Sequence, residues 1–415
     1  MRRRRGAVLG LALSGALALA GCASGHGTTL DAGRPAPLTP TVATGDPATV
    51  PSSGPAESSG PAASSTDPSA SATGRAAPPA SVPGVTPTRA ATVRPRATVV
   101  ARRVPAPVGN ASGHAAVPAA ARPVDTSRPS RVIGTGTPAS CTSDAVVAAV
   151  AAGGVVTFDC GAAPVTITLT RTAKVDNNHP ELVLDGGGRV TLSGGGARRI
   201  LYQNTCDQAQ HWTSAHCDDQ ATPRLVVQNL TFANGNSSGD GEGGGAIFDR
   251  GGRLEVINSR FVGNRCAPAG PDLGGAAIRV LDQSQDRPVY VVGSTFTGGT
   301  CANGGGISSI GVSWVVLNSV FSGNTATGTG ASSGNGGNGG AIYLDGNAMT
   351  LVVRGTRIEG NTAGAGGGAV FFVSNDRTGT MTVDASTLRN NVSKGFETPG
   401  LPGIFFLGAR TPTLS

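Results

Sequence analysis

From residue 225 onward, short apolar strands recur with a common ending. VVQNLTF (226–232), VINSRF (256–261), VVGSTF (291–296), VLNSVF (316–321), VRGTRI (353–358) and VDASTL (383–388) each close on a large apolar residue. Those residues, Phe232, Phe261, Phe296, Phe321, Ile358 and Leu388, are separated by 29, 35, 25, 37 and 30 positions. A second phrase is interleaved with the first. GGGAIF, GGAAIR, GGGISS, GGAIYL and GGAVFF place Ile247, Ile278, Ile307, Ile342 and Val370 at spacings of 31, 29, 35 and 28. Periods near thirty, built from β-branched strands and Gly-rich turns, indicate a repeat too small to bury its own apolar face. Helical solenoids need fewer glycines and a 3.6-residue period, and a propeller blade needs four strands. The pattern therefore predicts an all-β fold, a right-handed single-stranded parallel β-helix of three short strands per coil, coils stacking about 4.8 Å apart. The Phe column should line its interior.

Two sets of asparagines keep the same period. Asn229, Asn258 and Asn318 lie three before the Phe, and Asn264, Asn324, Asn361 and Asn391 three after the Phe, Ile or Leu. Stacked amides at a turn are expected to hydrogen-bond along the axis as a ladder. Upstream, Ser143 and Asp144 precede the apolar run Ala145–Ala152 and the pair Gly153-Gly154. This predicts an N-capped helix covering the first coil, where an unpaired sheet edge needs protection.

Before residue 136 the hydrophobic period disappears. That stretch holds 18 of the 28 Pro and none of the 16 aromatics, with 14 Arg against 5 acids. It lacks the apolar surface to offset ordering entropy, so residues 22–135 are expected to be a disordered linker. The remainder, 136–415, is expected to be the β-helix domain. It carries 18 basic and 20 acidic residues, so the net +7 of the chain belongs to the tail. A nucleic-acid partner is thereby excluded for the folded part.

The chain begins with Arg2 to Arg5, an apolar run Ala7–Ala20, and Leu19-Ala20-Gly21-Cys22. The run is shorter than the roughly 20 residues of a membrane span. Its ending resembles the lipobox of bacterial lipoproteins. The resemblance implies a signal peptide over 1–21, lipidation at Cys22, and export to the outer face of the cytoplasmic membrane at the cell surface, with the lipid as membrane anchor.

GGA[IV] paired with F-x-x-N, as in Phe261-Val-Gly-Asn264 and Phe321-Ser-Gly-Asn324, resembles the repeats of polymorphic outer-membrane proteins and other pectate-lyase-like β-helix proteins. The resemblance covers 225 to about 410, and more loosely 141 to 224. It implies the fold and leaves the activity open, because this scaffold carries lyases, hydrolases and adhesins.

Excluding Cys22, six cysteines remain, and an oxidising compartment would pair them. Cys266 and Cys301 each lie five beyond a Phe of the column, which puts them at one position on adjacent coils. They should pair. Cys206 with Cys217 would close an insertion and Cys141 with Cys160 would staple the helix.

Candidate chemistry is sparse. Alternation puts Phe248, Arg279, Ser308, Tyr343 and Phe371 on the outer side of the GGA[IV] strands. Aromatics and an Arg on one face suit a polysaccharide, with Arg279 pairing to a uronate or phosphate; the alternative is a satellite cluster under a loop. Trp212, between His211 and His216 in the insertion, is a candidate sugar-stacking tip, against a zinc site of two Cys and two His. Asp249, Asp282 and Asp345 form no clean ladder. The strand Gly275–Asp282 lacks a second acidic ligand, and no His follows residue 216. The expectation is a monomeric, non-catalytic binder of an envelope or extracellular polysaccharide, with neither metal nor cofactor. Its alternative is a lyase or glycoside hydrolase acting on an acidic glycan, calcium entering only for the lyase.

Overall fold

The computed structural model describes residues 107–415 except 212 and 331–333, all within the unit Ala97–Ser415. Cys22, the segment 1–21, the part of the linker up to 106 and Trp212 lie outside the described residues. The strands form four sheets of nine, eight, eight and four strands, in which every strand pairing is parallel. One coil visits them in turn. Val289–Val292 lies in the nine-stranded sheet, Thr295–Thr297 in the first eight-stranded sheet, Thr300–Cys301 in the small sheet and Ile307–Ile310 in the other eight-stranded sheet. The next coil begins at Trp314, directly beside Val289. This is the topology of a parallel β-helix.

Both repeated phrases are columns in register. Phe232, Phe261, Phe296, Phe321, Ile358 and Leu388 pair one to the next along the first eight-stranded sheet, called here the Phe sheet. Ile247, Ile278, Ile307, Ile342 and Val370 do so along the other, the Ile sheet. The four Phe rings are wholly interior and stack at 5.1, 4.7 and 4.5 Å, close to parallel. That spacing matches the distance between adjacent strands, so each coil's burial also sets the register of the next.

Polar ladders run beside the apolar ones. Asn324 Nδ2 donates to Asn361 Oδ1 at 2.9 Å, and Asn361 Nδ2 to Asn391 Oδ1 at 2.9 Å, as the spacing predicts. Asn229, Asn258 and Asn318 differ. They adopt positive φ of 51°, 47° and 52°, making the corner between the nine-stranded sheet and the Phe sheet, and Gly293 and Gly355 fill the same corner in other coils. Asparagine tolerates this left-handed conformation better than most residues. Immediately after that corner stands a second ladder, in which the N–H of Ser259, Ser294, Ser319 and Thr356 donates to the hydroxyl of Ser294, Ser319, Thr356 and Ser386.

The helix spans Ser143–Ala151, capped by Thr142, whose hydroxyl accepts from the Ala145 N–H, instead of by Ser143 or Asp144. Val146, Ala149 and Val150 enter the main core with Val156, Ile167 and Leu182. Among the described residues no helix is long and apolar enough to cross a membrane.

Residues 107–133 depart from the expected boundary at 136. They lie along the outer face of the nine-stranded sheet, against the direction of coil succession. Ala115 exchanges hydrogen bonds with the Asn318 side chain, Val124 with that of Gln228, and Thr126 donates to Asp185. Arg131–Ile133 then joins the sheet beside Gly154–Phe158. The reason is apolar surface on the sheet's outer side: Val183, Val226 and Ile257 pack with Val124, and Val292 and Leu317 pack with Ala115, Val117 and Ala121. A segment without a hydrophobic period of its own is ordered by the surface it covers.

The three disulfides are Cys141–Cys160, Cys206–Cys217 and Cys266–Cys301, with Cα separations of 5.7, 5.0 and 4.7 Å.

Candidate binding cleft on the Ile sheet

The outer column of the Ile sheet is in register as expected, running Tyr202, Phe248, Arg279, Ser308, Tyr343, Phe371 and Phe405. Its exposure is not as expected. Phe248, Arg279, Tyr343 and Phe371 are only 1, 3, 3 and 7 % exposed. The cause lies in the Gly-rich phrase itself. Gly244, Gly275, Gly304, Gly339 and Gly367, each three before the inward residue, take positive φ, and a Cβ there would fall 2.0–2.4 Å from the carbonyl oxygen of that residue. The turn doubles back tightly onto the strand it introduces. A Cβ on Gly244 would also fall 3.1 Å from the Cβ of Arg279, and one on Gly274 or Gly304 2.7 or 2.9 Å from that of Ser308, so the turns leave these side chains no room for a larger residue above them. Tyr343 and Phe371 stack at 5.2 Å, and Phe396 closes edge-on over Phe371. The aromatic part of the column is thus a satellite cluster under turns, and its rings offer no open platform for a sugar.

Two arginines on this face are nearly buried, and their surroundings differ. Arg199, 7 % exposed, lies over the Phe248 ring, donates to the carbonyls of Gly243 and Gly244, and pairs with Asp240 at 2.6 Å. Its charge is fully answered. Arg279 has a single hydrogen bond among the described residues, from Nη1 to Ser308 Oγ at 2.5 Å, while its buried Nε has no partner and no carboxylate pairs with it. Burial pulls its pKa down, with Tyr343 and Asp272 acting in the opposite direction. An unpaired buried cation is costly, of the order of several kcal/mol.

Arg279 lines a cleft of about 470 Å³ with Arg250, Asp272, Asp282, Asp345 and Asn375. This lies within the roughly 300–1,000 Å³ of small-molecule sites. Asp345 accepts from Asn375 Nδ2 at 3.1 Å and from the Tyr343 hydroxyl at 3.2 Å. Burial, then Asp345, pushes the Tyr343 hydroxyl far up in pKa, so it stays a donor. Asp282 also borders a second cleft of about 240 Å³, lined by Asp218, Asp219, Asp286 and Arg287. Arg250 bridges the two carboxylates, its Nη2 2.9 Å from Asp218 and its Nε 3.7 Å from Asp282. Burial first, and next the charge of Asp218, hold the Asp282 carboxyl above its ordinary pKa, against Arg250.

Of the three acids considered from sequence, Asp282 and Asp345 therefore meet in one cleft. Asp249 does not; it points into the rod, wholly buried, and accepts from Gln203 Nε2 at 2.7 Å and Gln283 Nε2 at 2.6 Å. Desolvation drives its pKa well up. The Gly275–Asp282 strand has no second acid of its own; the acids beside Asp282 in the smaller cleft are Asp218, Asp219 and Asp286. Asp218 is delivered from outside the repeat, directly after the Cys206–Cys217 bridge. That bridge joins the two cysteines weighed for a zinc set. No family model matches the chain, and no match is found among curated proteins or solved structures.

Proposed function

We propose that the chain is an exported, surface-anchored lipoprotein, lipidated at Cys22, with a right-handed pectate-lyase-like β-helix closed at one end by the helix Ser143–Ala151. Its larger cleft binds an acidic polysaccharide of the envelope or the surroundings without transforming it. The observation that carries this reading is Arg279: a buried guanidinium that no carboxylate contacts and whose Nε has no partner among the described residues, lining an open cleft, favours an anionic group there. Nη2, the guanidinium nitrogen that is neither bonded nor wholly buried, can donate to an anionic oxygen in the cleft. Asp272, Asp282 and Asp345 would repel a phosphate dianion more strongly than a monoanionic uronate, and they offer acceptors to sugar hydroxyls. Co-sedimentation of the full chain with uronate polymers, phosphomonoester-bearing polymers and neutral glucans tests it. Retention on the uronates above the others is expected; equal retention on all, or on none, would refute it.

The Asp218–Asp282 pair favours a second reading, a glycoside hydrolase or lyase. A carboxyl held above its ordinary pKa by burial and by a neighbouring carboxylate side chain is suited to acid and base roles. Incubation with uronate polymers, with and without calcium, following absorbance at about 235 nm and reducing ends, distinguishes it. Product release abolished by Asp282→Asn would establish catalysis.

A further inference from the structure

Residues 107–130 differ in kind from the coils they cover. Of these twenty-four residues only Gly109 and Ala121 are buried, whereas the inward columns of the sheets are buried from Phe232 to Ile358 and from Ile247 to Val370. The segment is pinned at separate points: Gly109 N–H to Thr295 Oγ1, Asn110 to Asn318 and Gly355, Ala115 to Asn318, Val124 to Gln228, Thr126 to Asp185 and Ser130 to Val155. Between those pins it rests on the apolar row Val183, Val226, Ile257, Val292 and Leu317. Few buried contacts and isolated backbone hydrogen bonds mark a unit that opens below the free energy of global unfolding.

Order along the chain matters as well. The upstream end of the segment sits on the later coils, at Asn318 and Gly355, and its downstream end on the first, at Val155. A pull on the preceding chain loads the pins one after another, from Gly109 and Asn110 toward Ser130, and leaves the coils unloaded until the last. The contact there is close: a Cβ on Gly113 would fall 2.4 Å from the Gly355 carbonyl oxygen and 2.7 Å from Asn318 Oδ1.

We propose that residues 109–126 form a peelable strap, released from its upstream end by tension while the β-helix stays folded, which uncovers the apolar row of the nine-stranded sheet. The tension rests on the reading that the preceding residues tether the domain; the strap's independent opening does not, so the two can fail separately.

Hydrogen exchange of the full chain, followed peptide by peptide, tests the opening. Peptides from 109–126 should exchange at least about tenfold faster than those of the nine-stranded sheet beneath. In Gly113→Val, exchange over 109–121 should rise a further tenfold or so, with the sheet strands unchanged and binding of a hydrophobic dye increased. Val124→Asp serves as a second variant, loosening the strap from its middle. Exchange of the strap only in step with the sheets, or equal acceleration of strap and sheets in both variants, would overturn the proposal and make the segment an integral part of the core.

Discussion

Ser294 donates its backbone N–H to Ser319 Oγ, 25 residues downstream and one coil along, at 3.1 Å. The same bond recurs from Ser259 to Ser294, Ser319 to Thr356 and Thr356 to Ser386, each acceptor hydroxyl in turn donating to a carbonyl two residues before it. The ladder satisfies, at one corner of the rod, N–H groups that the sheet bonds do not reach. Ser294→Ala strands the Ser259 N–H in the interior and should cost about 1–3 kcal/mol. The check is the urea midpoint at unchanged m-value; a midpoint within error of the parent would show that the ladder is incidental.

Asp249 sets a pH dependence with a definite sign. Its pKa is raised in the folded state, so its favourable contribution is complete below about pH 4, the unfolded value, and is lost as pH rises through the folded value. Asp249→Asn removes the desolvation penalty, and its Nδ2, where Asp249 Oδ1 now accepts from Gln203 Nε2, can donate to Gln203 Oε1 once that amide turns over. Thermal melts should find the variant more stable than the parent at pH 7, with the gain shrinking as pH falls toward 3.5. A variant less stable at pH 7 would show that the carboxylate itself is needed.

Much of this architecture is legible in the residue pattern, and where it is not the reason is physical. Phe261, Phe296 and Phe321 recur in the sequence because each must meet the next ring, so their spacing carries the register and, with it, the Cys266–Cys301 bridge. The Ser and Thr two places before each of these apolar residues, from Ser259 to Ser386, carry the ladder in plain view. Alternation also puts Phe248, Arg279 and Tyr343 on the outer side correctly. It cannot report that the Gly244-type turn folds back over them, because that depends on a positive φ and a missing Cβ. The strap is illegible for another reason: Ala115, Ala121 and Val124 have no period of their own and find order only on a surface formed by residues 60 to 200 positions away. Asp218 enters the smaller cleft from an insertion, which a repeat pattern passes over.

The Cys206–Cys217 bridge should matter to the cleft more than to the rod. Thr205 and the bridge anchor the segment that presents Asp218 to Arg250, Thr205 Oγ1 donating to the Cys217 carbonyl at 2.6 Å. Replacing both cysteines with Ser removes an 11-residue closure, expected to cost about 2–3 kcal/mol locally. Exchange protection should fall over 206–219 and remain over the Phe sheet. Loss of protection throughout the coils would place the bridge in the global core instead.

Arg279→Gln tests the central claim most directly, because stability and binding are predicted to move apart. Titration calorimetry of the full chain with a uronate oligosaccharide should show affinity falling at least about tenfold, a loss of roughly 1.4 kcal/mol or more, since the charged donor is gone. The same variant should melt no lower than the parent, because a desolvated guanidinium that no carboxylate contacts has been replaced by a neutral amide. Unchanged affinity would contradict the account, and so would a marked drop in melting temperature, which would assign Arg279 to the fold and leave the cleft without its anchor.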